Sequence, residues 1–191
     1  MATTPVQVEV TFLRMERPPA DPPAALPSGA ALPPGADVVP VTGCSVGFYR
    51  YLYDTVGRDY CWWLRRTLPD AKIAALLRDP AISIHVLYRN GEPAGFHELE
   101  RRWDGTTNLS YFGLLPHAIG KGMGRAFLRH AIDTAWAGNC SVMTVNTCTA
   151  DHPRALPNYI ASGFQVVRRV REEWPVPTDI GLRLPDRLRT G

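Results

Sequence analysis

A glycine-rich turn between a predicted strand and a predicted helix constrains the fold of this chain more than any other feature. The turn is Gly120-Lys121-Gly122-Met123-Gly124. It follows a strand pattern over Asn108–Leu115 and opens a helix pattern to about Trp136, with apolar residues at three- and four-residue spacings. A second strand pattern, Ser141–Thr147, comes next. Because strand, helix and strand in close succession form a βαβ unit, the two strands are predicted to be parallel.

The chain before this unit has the pattern of an antiparallel meander. Ala81–Tyr88 and Pro93–Arg101 are strand-like, and Asn90-Gly91 between them is a strong hairpin signal. The other patterns predict a first strand, three helices before the meander, a last helix and a final strand. These are Val8–Met15, Ser45–Thr55, Asp59–Leu68, Asp70–Arg78, Pro153–Ser162 and Phe164–Trp174. The order predicts a mixed α/β (α+β) domain.

Proline sets the N-terminal part of the chain apart from the rest. Of the 18 prolines, nine lie in the first forty residues, and seven of those lie within Arg17–Ala36. Proline at this density excludes a helix or an inner strand, so an extended surface insertion is predicted. The length of 191 residues suits one domain, with this insertion at about 17–36 and an irregular tail after about 175.

Composition and charge exclude several classes of function. The net charge of +3 is too small to indicate binding to nucleic acid or to a membrane. No apolar run approaches the ~18 residues of a membrane span, and the N-terminus lacks the pattern of a secretory signal, so we expect a soluble cytoplasmic protein. The four cysteines form no CxxC pair, and no metal site is predicted.

The glycine-rich turn has the properties of an anion site. Backbone N–H groups at a helix start converge on anions, and glycine lets a phosphate approach closely. The turn is not a P-loop, which requires GxxxxGK followed by Ser or Thr. It is not a dinucleotide loop of the GxGxxG type either, because Arg125 lies three residues after Gly122. A helix start without any ligand remains an alternative at this point.

Two motifs together resemble the GNAT superfamily of acyl-CoA-dependent N-acyltransferases. The first is Phe112-Gly113-Leu114-Leu115-Pro116 with Gly120–Arg125, which is similar to the family's hydrophobic strand, proline and glycine-rich loop. The second runs from Ala155 through Asn158-Tyr159 to Gly163-Phe164 and is similar to the family's A-x-x-L-Y-x-x-x-G-F. The chain departs from the family pattern at three positions: Ile119, His152 and Asn158.

The resemblance implies a fold and an activity. The fold is a central mixed, mostly antiparallel sheet with one parallel βαβ pair, flanked by helices. The activity is N-acetyl transfer from acetyl-CoA, without a metal, to a small-molecule or peptide amine, and a homodimer is an assembly it allows. A regulatory module that binds CoA without catalysis is the alternative. The cofactor-binding residues implied are Phe112, Leu114, Leu115, Ile119, Gly120, Lys121, Gly122, Met123, Gly124 and Arg125, with Arg129 as a further cation.

Acyl transfer to an amine near neutral pH requires a proton acceptor and a proton donor, since an alkylamine has a pKa near ~10.4. The resemblance gives the role of general acid to Tyr159. Strand parity puts Glu98 on the same face as Phe96 in a largely apolar strand, and we predict that Glu98 is the general base. A buried carboxylate without a nearby cation should have a raised pKa. A solvated Glu98 remains open, and the weaker candidates are His117, Asp151 and His152.

Aromatic residues crowd the segment between residues 48 and 63, where the resemblance places the wall of the acceptor site. Tyr49 and Trp62 are the predicted acceptor-binding residues, because aromatic rings can surround a cationic or aromatic amine. Core packing of the same residues is the alternative. The identity of the acceptor, the acyl chain and the oligomeric state are left open by the sequence.

Overall fold

The computed structural model of the chain describes residues 2–19, 31–184 and 188. Within them, seven strands form one sheet, four α-helices flank it, and a 3₁₀ turn lies at Pro116–Ala118. The strands are β1 (Thr3–Met15), β2 (Ala36–Pro40), β3 (Ile82–Arg89), β4 (Glu92–Arg101), β5 (Thr106–Leu114), β6 (Val142–Cys148) and β7 (Gln165–Pro177). The helices are α1 (Val46–Gly57), α2 (Asp70–Leu77), α3 (Met123–Trp136) and α4 (Ala155–Ala161).

The strands of the sheet follow the order β2-β3-β4-β5-β6-β1-β7. β5 and β6 are parallel, while the other neighbouring strands pair in antiparallel fashion. Helix α3 connects the two parallel strands, as the glycine-rich turn predicts. The predicted mixed, mostly antiparallel sheet with one parallel βαβ pair is therefore confirmed.

The first strand lies deep in the sheet rather than beside the meander. β1 is inserted between β6 and β7 and pairs with both, with Val10 opposite Cys148 on one side and Val170 on the other. A second strand, β2, was not predicted and occupies the edge beside β3. Pro40 ends this strand, which is acceptable at an edge where one side of the backbone has no partner. Residues 20–30 of the predicted insertion lie outside the described part of the chain.

The helices cover both faces of the sheet. Successive residues of a strand point to opposite faces, and in β4 the ring of Phe96 packs against Tyr49 of α1 whereas His97 packs against Phe127 of α3. α2 contributes Ile73 to the same cluster as α1, and α4 joins α3 on the opposite face. The sheet thus has a core on each side.

The predicted helix over Asp59–Leu68 is wrong, because this segment is a series of turns. Cys61 has a φ of 60°, a left-handed conformation that interrupts a helix. The chain reverses so tightly there that a Cβ on Gly57 would lie 2.4 Å from the Cβ of Trp62. The reversal returns Arg65 to the sheet, where it reaches the strand residues beneath α1.

The last strand is longer than predicted. β7 continues beyond Trp174 to Pro177, because its final residues pair with the beginning of β1. Among the residues the structure describes, no helix combines the length and the apolar character needed to cross a bilayer. In the same residues, no group of three or more His, Cys, Asp or Glu side chains is arranged to hold a metal ion.

Candidate active site

A cleft of about 740 Å³ opens where β5 and β6 separate. The two strands pair only between Thr106–Leu109 and Val142–Val145. A β-bulge at Ser110, which lies between the residues opposite Leu99 and Glu98, bends β5 at this point. Beyond it, the rest of β5 lines one side of the cleft, and Asn146 and Cys148 of β6 line the other. The separation leaves an open strand edge inside the protein.

The glycine-rich turn forms one end of this cleft. Gly120 and Gly122 have φ angles of 78° and 81°, which favour glycine, and a Cβ added to either would meet no atom within 4 Å. Gly122 is the N-cap of α3, no side chain caps the helix, and its first turn contains no acidic residue. The N–H groups of this helix start are therefore available to an anion, and the open space in front of them suits a phosphate group.

Seven of the ten predicted cofactor-binding residues line the cleft: Phe112, Leu114, Ile119, Gly120, Gly122, Gly124 and Arg125. The other three do not. Leu115 and Met123 turn their side chains into the core, and Lys121 is exposed on the outside of the turn. Arg129, the further predicted cation, forms an ion pair with Asp133 one helical turn later. The anion site predicted at this turn would thus be built chiefly from backbone groups, with Arg125 of the first turn of α3 as a lining cation.

Tyr159 projects from α4 into the cleft. Its ring packs against Phe112 and Phe164, and only 6% of the residue is exposed. Its hydroxyl makes no hydrogen bond to another residue that the structure describes. Burial and, secondarily, the negative charge of Asp151 raise the pKa of Tyr159 above its usual value of 10. The hydroxyl therefore stays protonated and available as a donor.

Glu98 lies behind the wall of the cleft and does not line it. It is fully buried: the Tyr49 hydroxyl donates to Oε2 at 2.6 Å, and the Arg65 guanidinium donates to Oε1 at 2.8 Å. The prediction of a carboxylate without a nearby cation is wrong, because the turns after α1 bring Arg65 to it. Desolvation raises the pKa of Glu98, while Arg65 opposes the shift.

The two predicted acceptor-binding residues have different positions. Tyr49 is fully buried beneath α1 and contacts Glu98, so it does not reach the cleft. Trp62 lines the cleft and packs against Tyr53 and Tyr111. These tyrosines also line it, and the Arg65 guanidinium lies 5.4 Å from the Tyr111 ring centre. Arg65 and Tyr49 therefore lie between Glu98 and the aromatic side chains that line the cleft.

Asp151 is a carboxylate that does line the cleft, close to Tyr159. Its Oδ2 accepts hydrogen bonds from the Thr147 hydroxyl at 2.7 Å and from the Cys148 N–H at 3.0 Å. Desolvation raises the pKa of Asp151, and these hydrogen bonds oppose the shift. Asp151 forms no ion pair with any residue in the described ranges. Of the weaker base candidates, Asp151 has the contacts that suit the role.

The part of the cleft that is lined by β1 and β7 contains residues that the sequence did not indicate. β1 contributes Val10 and Phe12, and β7 contributes Glu172 and Trp174. The Trp174 indole N–H donates to Glu172 Oε2 at 2.7 Å. Alternation along β7 puts these two residues on one face, but no sequence signal showed that β1 brings β7 to the cleft.

The chain matches the family model described as "Acetyltransferase (GNAT) family" over residues 47–164. No curated protein matches it significantly. The match includes the turns after α1, the glycine-rich turn, Asp151 and Tyr159.

Solved structures share the fold at low sequence identity. A GCN5-related N-acetyltransferase from Kribbella flavida is 18% identical, with a TM-score of 0.59, and the match covers 93% of this chain and 63% of that one. One from Sphaerobacter thermophilus is 15% identical, with a TM-score of 0.58, and the coverages are 95% and 56%. An aminoglycoside acetyltransferase from an uncultured soil sample is 10% identical, with a TM-score of 0.55, and the coverages are 67% and 87%. The chain thus spans about three fifths of the length of the first two structures.

Proposed function

Because the chain belongs to the acetyltransferase (GNAT) family, we propose that it transfers an acetyl group from acetyl-CoA to a primary amine. The observation that carries this proposal is the single cleft in which the start of α3, the open edge of β5 and the Tyr159 hydroxyl all meet. An anion site, an extended strand edge and a proton donor are the groups that a phosphorylated thioester donor requires.

The residues present fit acetyl-CoA. The N–H groups at the start of α3 and the Arg125 guanidinium would hold its pyrophosphate, because both carry positive charge toward the cleft. The edge of β5 around Phe112–Leu114 would bind the extended arm by backbone hydrogen bonds, and an N–H at Leu114 would polarise the carbonyl. When bound, acetyl-CoA supplies an acetyl group activated as a thioester.

Tyr159 is the group positioned to deliver a proton to the departing sulfur. Because its pKa is raised, the hydroxyl keeps its proton near neutral pH and can donate a hydrogen bond to the thiolate that develops as the sulfur departs. The aromatic ring keeps the hydroxyl in place by packing on Phe112 and Phe164. The water-poor surroundings that raise the pKa also strengthen the hydrogen bond to a developing anion.

Two carboxylates are candidates for the base that takes the amine proton. Glu98 requires a relay through the side chains of the wall, because both its oxygens are already bonded inside the core. Asp151 faces the cleft, and among the residues that the structure describes its Oδ1 is bonded only to the Trp62 indole N–H, at 3.5 Å. We therefore favour Asp151 for direct transfer and a relay for Glu98.

The alternative function, a regulatory module that binds CoA without catalysis, is separated from the enzyme by one assay. We expect the protein to bind acetyl-CoA in calorimetry and to release free thiol when a panel of primary amines is added. Binding without any amine-dependent thiol release would favour the regulatory module. A folded protein that binds no acetyl-CoA would contradict both functions.

A further inference from the structure

We propose that the acceptor carries a second positive charge, which binds at Glu172 while the reacting amine lies near Asp151 and Tyr159. The inference rests on the proposed function and specifies its substrate class as an amine with an apolar or aromatic body and two cationic groups. It is carried by the distribution of charge and aromatic rings along the cleft.

Among the described residues, four charged side chains line the cleft: Arg125, Arg154, Asp151 and Glu172. Arg154 precedes α4, three residues after Asp151, and the two side chains form no ion pair with each other. Arg125 lies in the half formed by the start of α3, where an anionic donor would bind. Asp151 and Glu172 lie toward the half formed by β6, β1 and β7. Neither carboxylate forms an ion pair with a residue that the structure describes. A partly buried carboxylate without a counter-ion is costly, and a cationic ligand removes that cost.

Glu172 is held in a defined position. The Trp174 indole N–H donates to its Oε2 at 2.7 Å, and both side chains are partly buried on the face of β7 that lines the cleft. This bond fixes the carboxylate but supplies no full positive charge. The remaining oxygen is thus oriented for a charged donor.

Apolar and aromatic side chains lie around Glu172. Phe12, Trp63 and Trp174 pack on the apolar cluster that includes Val10, and all four line the cleft. Such a surface suits the apolar body of an amine. The Arg168 guanidinium already lies 4.3 Å from the Phe12 ring centre, so attraction between a ring face and the amine's cation would come from Trp63 and Trp174.

The position of β1 sets the spacing between the two charges. β6 and β7 are both neighbours of β1, so Glu172 lies two strand spacings from β6, which is roughly 9–10 Å. Asp151 folds back onto the end of β6 through its bonds to Thr147 and Cys148. A spacer the length of a benzene ring with a methylene on each side suits this separation.

The test compares p-xylylenediamine with p-methylbenzylamine, which differ by the second amine. For the wild type we expect kcat/KM for the diamine to exceed that for the monoamine roughly ten- to a hundredfold, the range for a hydrogen bond between charged groups. Glu172→Gln keeps an oxygen for the Trp174 N–H but removes the charge, and should bring the ratio near two, the statistical factor for two equivalent amines. The matched control is Glu173→Gln, which changes an exposed carboxylate on the other face of β7 and should leave the ratio unaltered.

Calorimetry of the same two amines with the protein and CoA gives a second readout. The diamine should bind more tightly to the wild type but not to Glu172→Gln. Equal binding and turnover of both amines by the wild type, apart from the statistical factor of two, would overturn this inference while leaving the acetyltransferase intact. Tight diamine binding without any amine-dependent thiol release would instead contradict the proposed function and support the site.

Discussion

At the scale of single residues, the cleft brings a proton donor together with one carboxylate, while a second carboxylate lies behind its wall. Tyr159 is almost fully buried, and its hydroxyl is unpaired within the described part of the chain. Asp151 lines the same space, and Glu98 is bonded behind the wall. Because burial raises the pKa of all three side chains, each keeps its proton up to a higher pH than it would in water. Substitutions that keep shape and remove one polar group can therefore assign the roles.

Tyr159→Phe should lower kcat by roughly 10²–10⁴-fold, the range for a group that transfers a proton in the rate-limiting step. The affinity for acetyl-CoA, measured by calorimetry, should hardly change, because the ring contacts with Phe112 and Phe164 are kept. Tyr51→Phe, an exposed tyrosine of α1, is the matched control and should behave as the wild type. Full turnover in Tyr159→Phe would leave this tyrosine with a packing role.

The pH profile of kcat/KM should identify the base. Asp151 accepts a proton only when ionised, so activity should rise with pH through its raised pKa, and Asp151→Asn should lower activity and remove or displace that limb. Glu98→Gln should instead leave Arg65 without its counter-ion, lower stability by roughly 2–5 kcal/mol and keep the limb. Loss of the limb in Glu98→Gln alone would assign the base to Glu98 acting through a relay.

At the scale of elements, helix α3 both supplies the anion site and covers one face of the sheet. Its first turn lines the cleft, whereas its apolar face carries Phe127, Leu128 and Ile132 into the core. A histidine from the same helix, His130, meets two histidines of the sheet on this side. Substitutions in the first turn of α3 should therefore affect donor binding, and substitutions on its apolar face or at its histidine should affect stability.

Gly124→Ala should weaken acetyl-CoA binding without harming the fold. The added Cβ would lie 3.7 Å from Leu114 Cδ1, an ordinary contact, and alanine favours a helix by up to about 1 kcal/mol over glycine. Because the methyl group occupies the approach to the helix start, we expect a roughly 10–100-fold higher Kd, the equivalent of one hydrogen bond to a charged group. Gly122 is less suitable for this test, since its φ of 81° would strain any other residue.

The matched control for that variant is Gly47→Ala. Gly47 is the second residue of α1, as Gly124 is of α3, and a Cβ there would meet no atom within 4 Å. Both variants should unfold at or above the wild-type temperature, and only Gly124→Ala should lose affinity in calorimetry. Unchanged affinity in Gly124→Ala would argue against a phosphate at the start of α3.

The three histidines between α3 and the sheet should make stability depend on pH. Burial lowers the pKa of His85 to about 4 and that of His97 well below its usual 6.5, while His97 Nε2 lies 3.2 Å from His130 Nδ1. The unfolded chain takes up protons at these rings below about pH 6.5 and the folded chain does not. The free energy of unfolding should therefore fall as the pH drops from about 6.5 toward 4.

Urea unfolding at several pH values would measure this effect. His97→Asn should reduce the slope of stability against pH by up to about 1.4 kcal/mol per pH unit, the contribution of one proton. His117→Asn, at an exposed histidine of the 3₁₀ turn, should leave the slope as in the wild type. An unchanged slope in His97→Asn would mean that protonation of this ring is not linked to unfolding.

At the scale of the whole molecule, local sequence patterns predicted which segments form strands and helices better than they predicted which strands pair with each other. The βαβ unit and the Asn90-Gly91 hairpin are encoded within a few residues, and both were predicted with the correct pairing. The position of β1 depends on pairing with segments more than a hundred residues away, which no local pattern reports. For the site, the glycine-rich turn and Tyr159 followed from motifs, whereas Arg65 and Glu172 did not. Arg65 reaches its position through the chain reversal at Cys61, and Glu172 through the insertion of β1.

The pairing of β1 with β7 joins parts of the chain that lie far apart in sequence. Gln7 and Glu173 are 166 residues apart, and the Thr178 N–H donates to the Ala2 carbonyl at 3.1 Å. A circular permutant tests how much this separation in sequence slows folding. It would connect residue 191 to Ala2 by a flexible Gly/Ser linker and begin within the proline-rich segment, which turns the long-range pairing into one spanning a few tens of residues.

The permutant should keep the native sheet and its melting temperature within a few degrees, because every strand retains its neighbours. It should refold faster, since about two halvings of the closed loop recover ~1.2 kcal/mol of chain entropy, up to roughly eightfold in rate if this pairing forms in the transition state. Stopped-flow refolding of both chains would measure the difference, and equal rates would place the β1–β7 pairing after the barrier. Faster refolding to the same sheet would mean that the covalent order of the segments governs how fast this architecture is reached rather than which architecture it is.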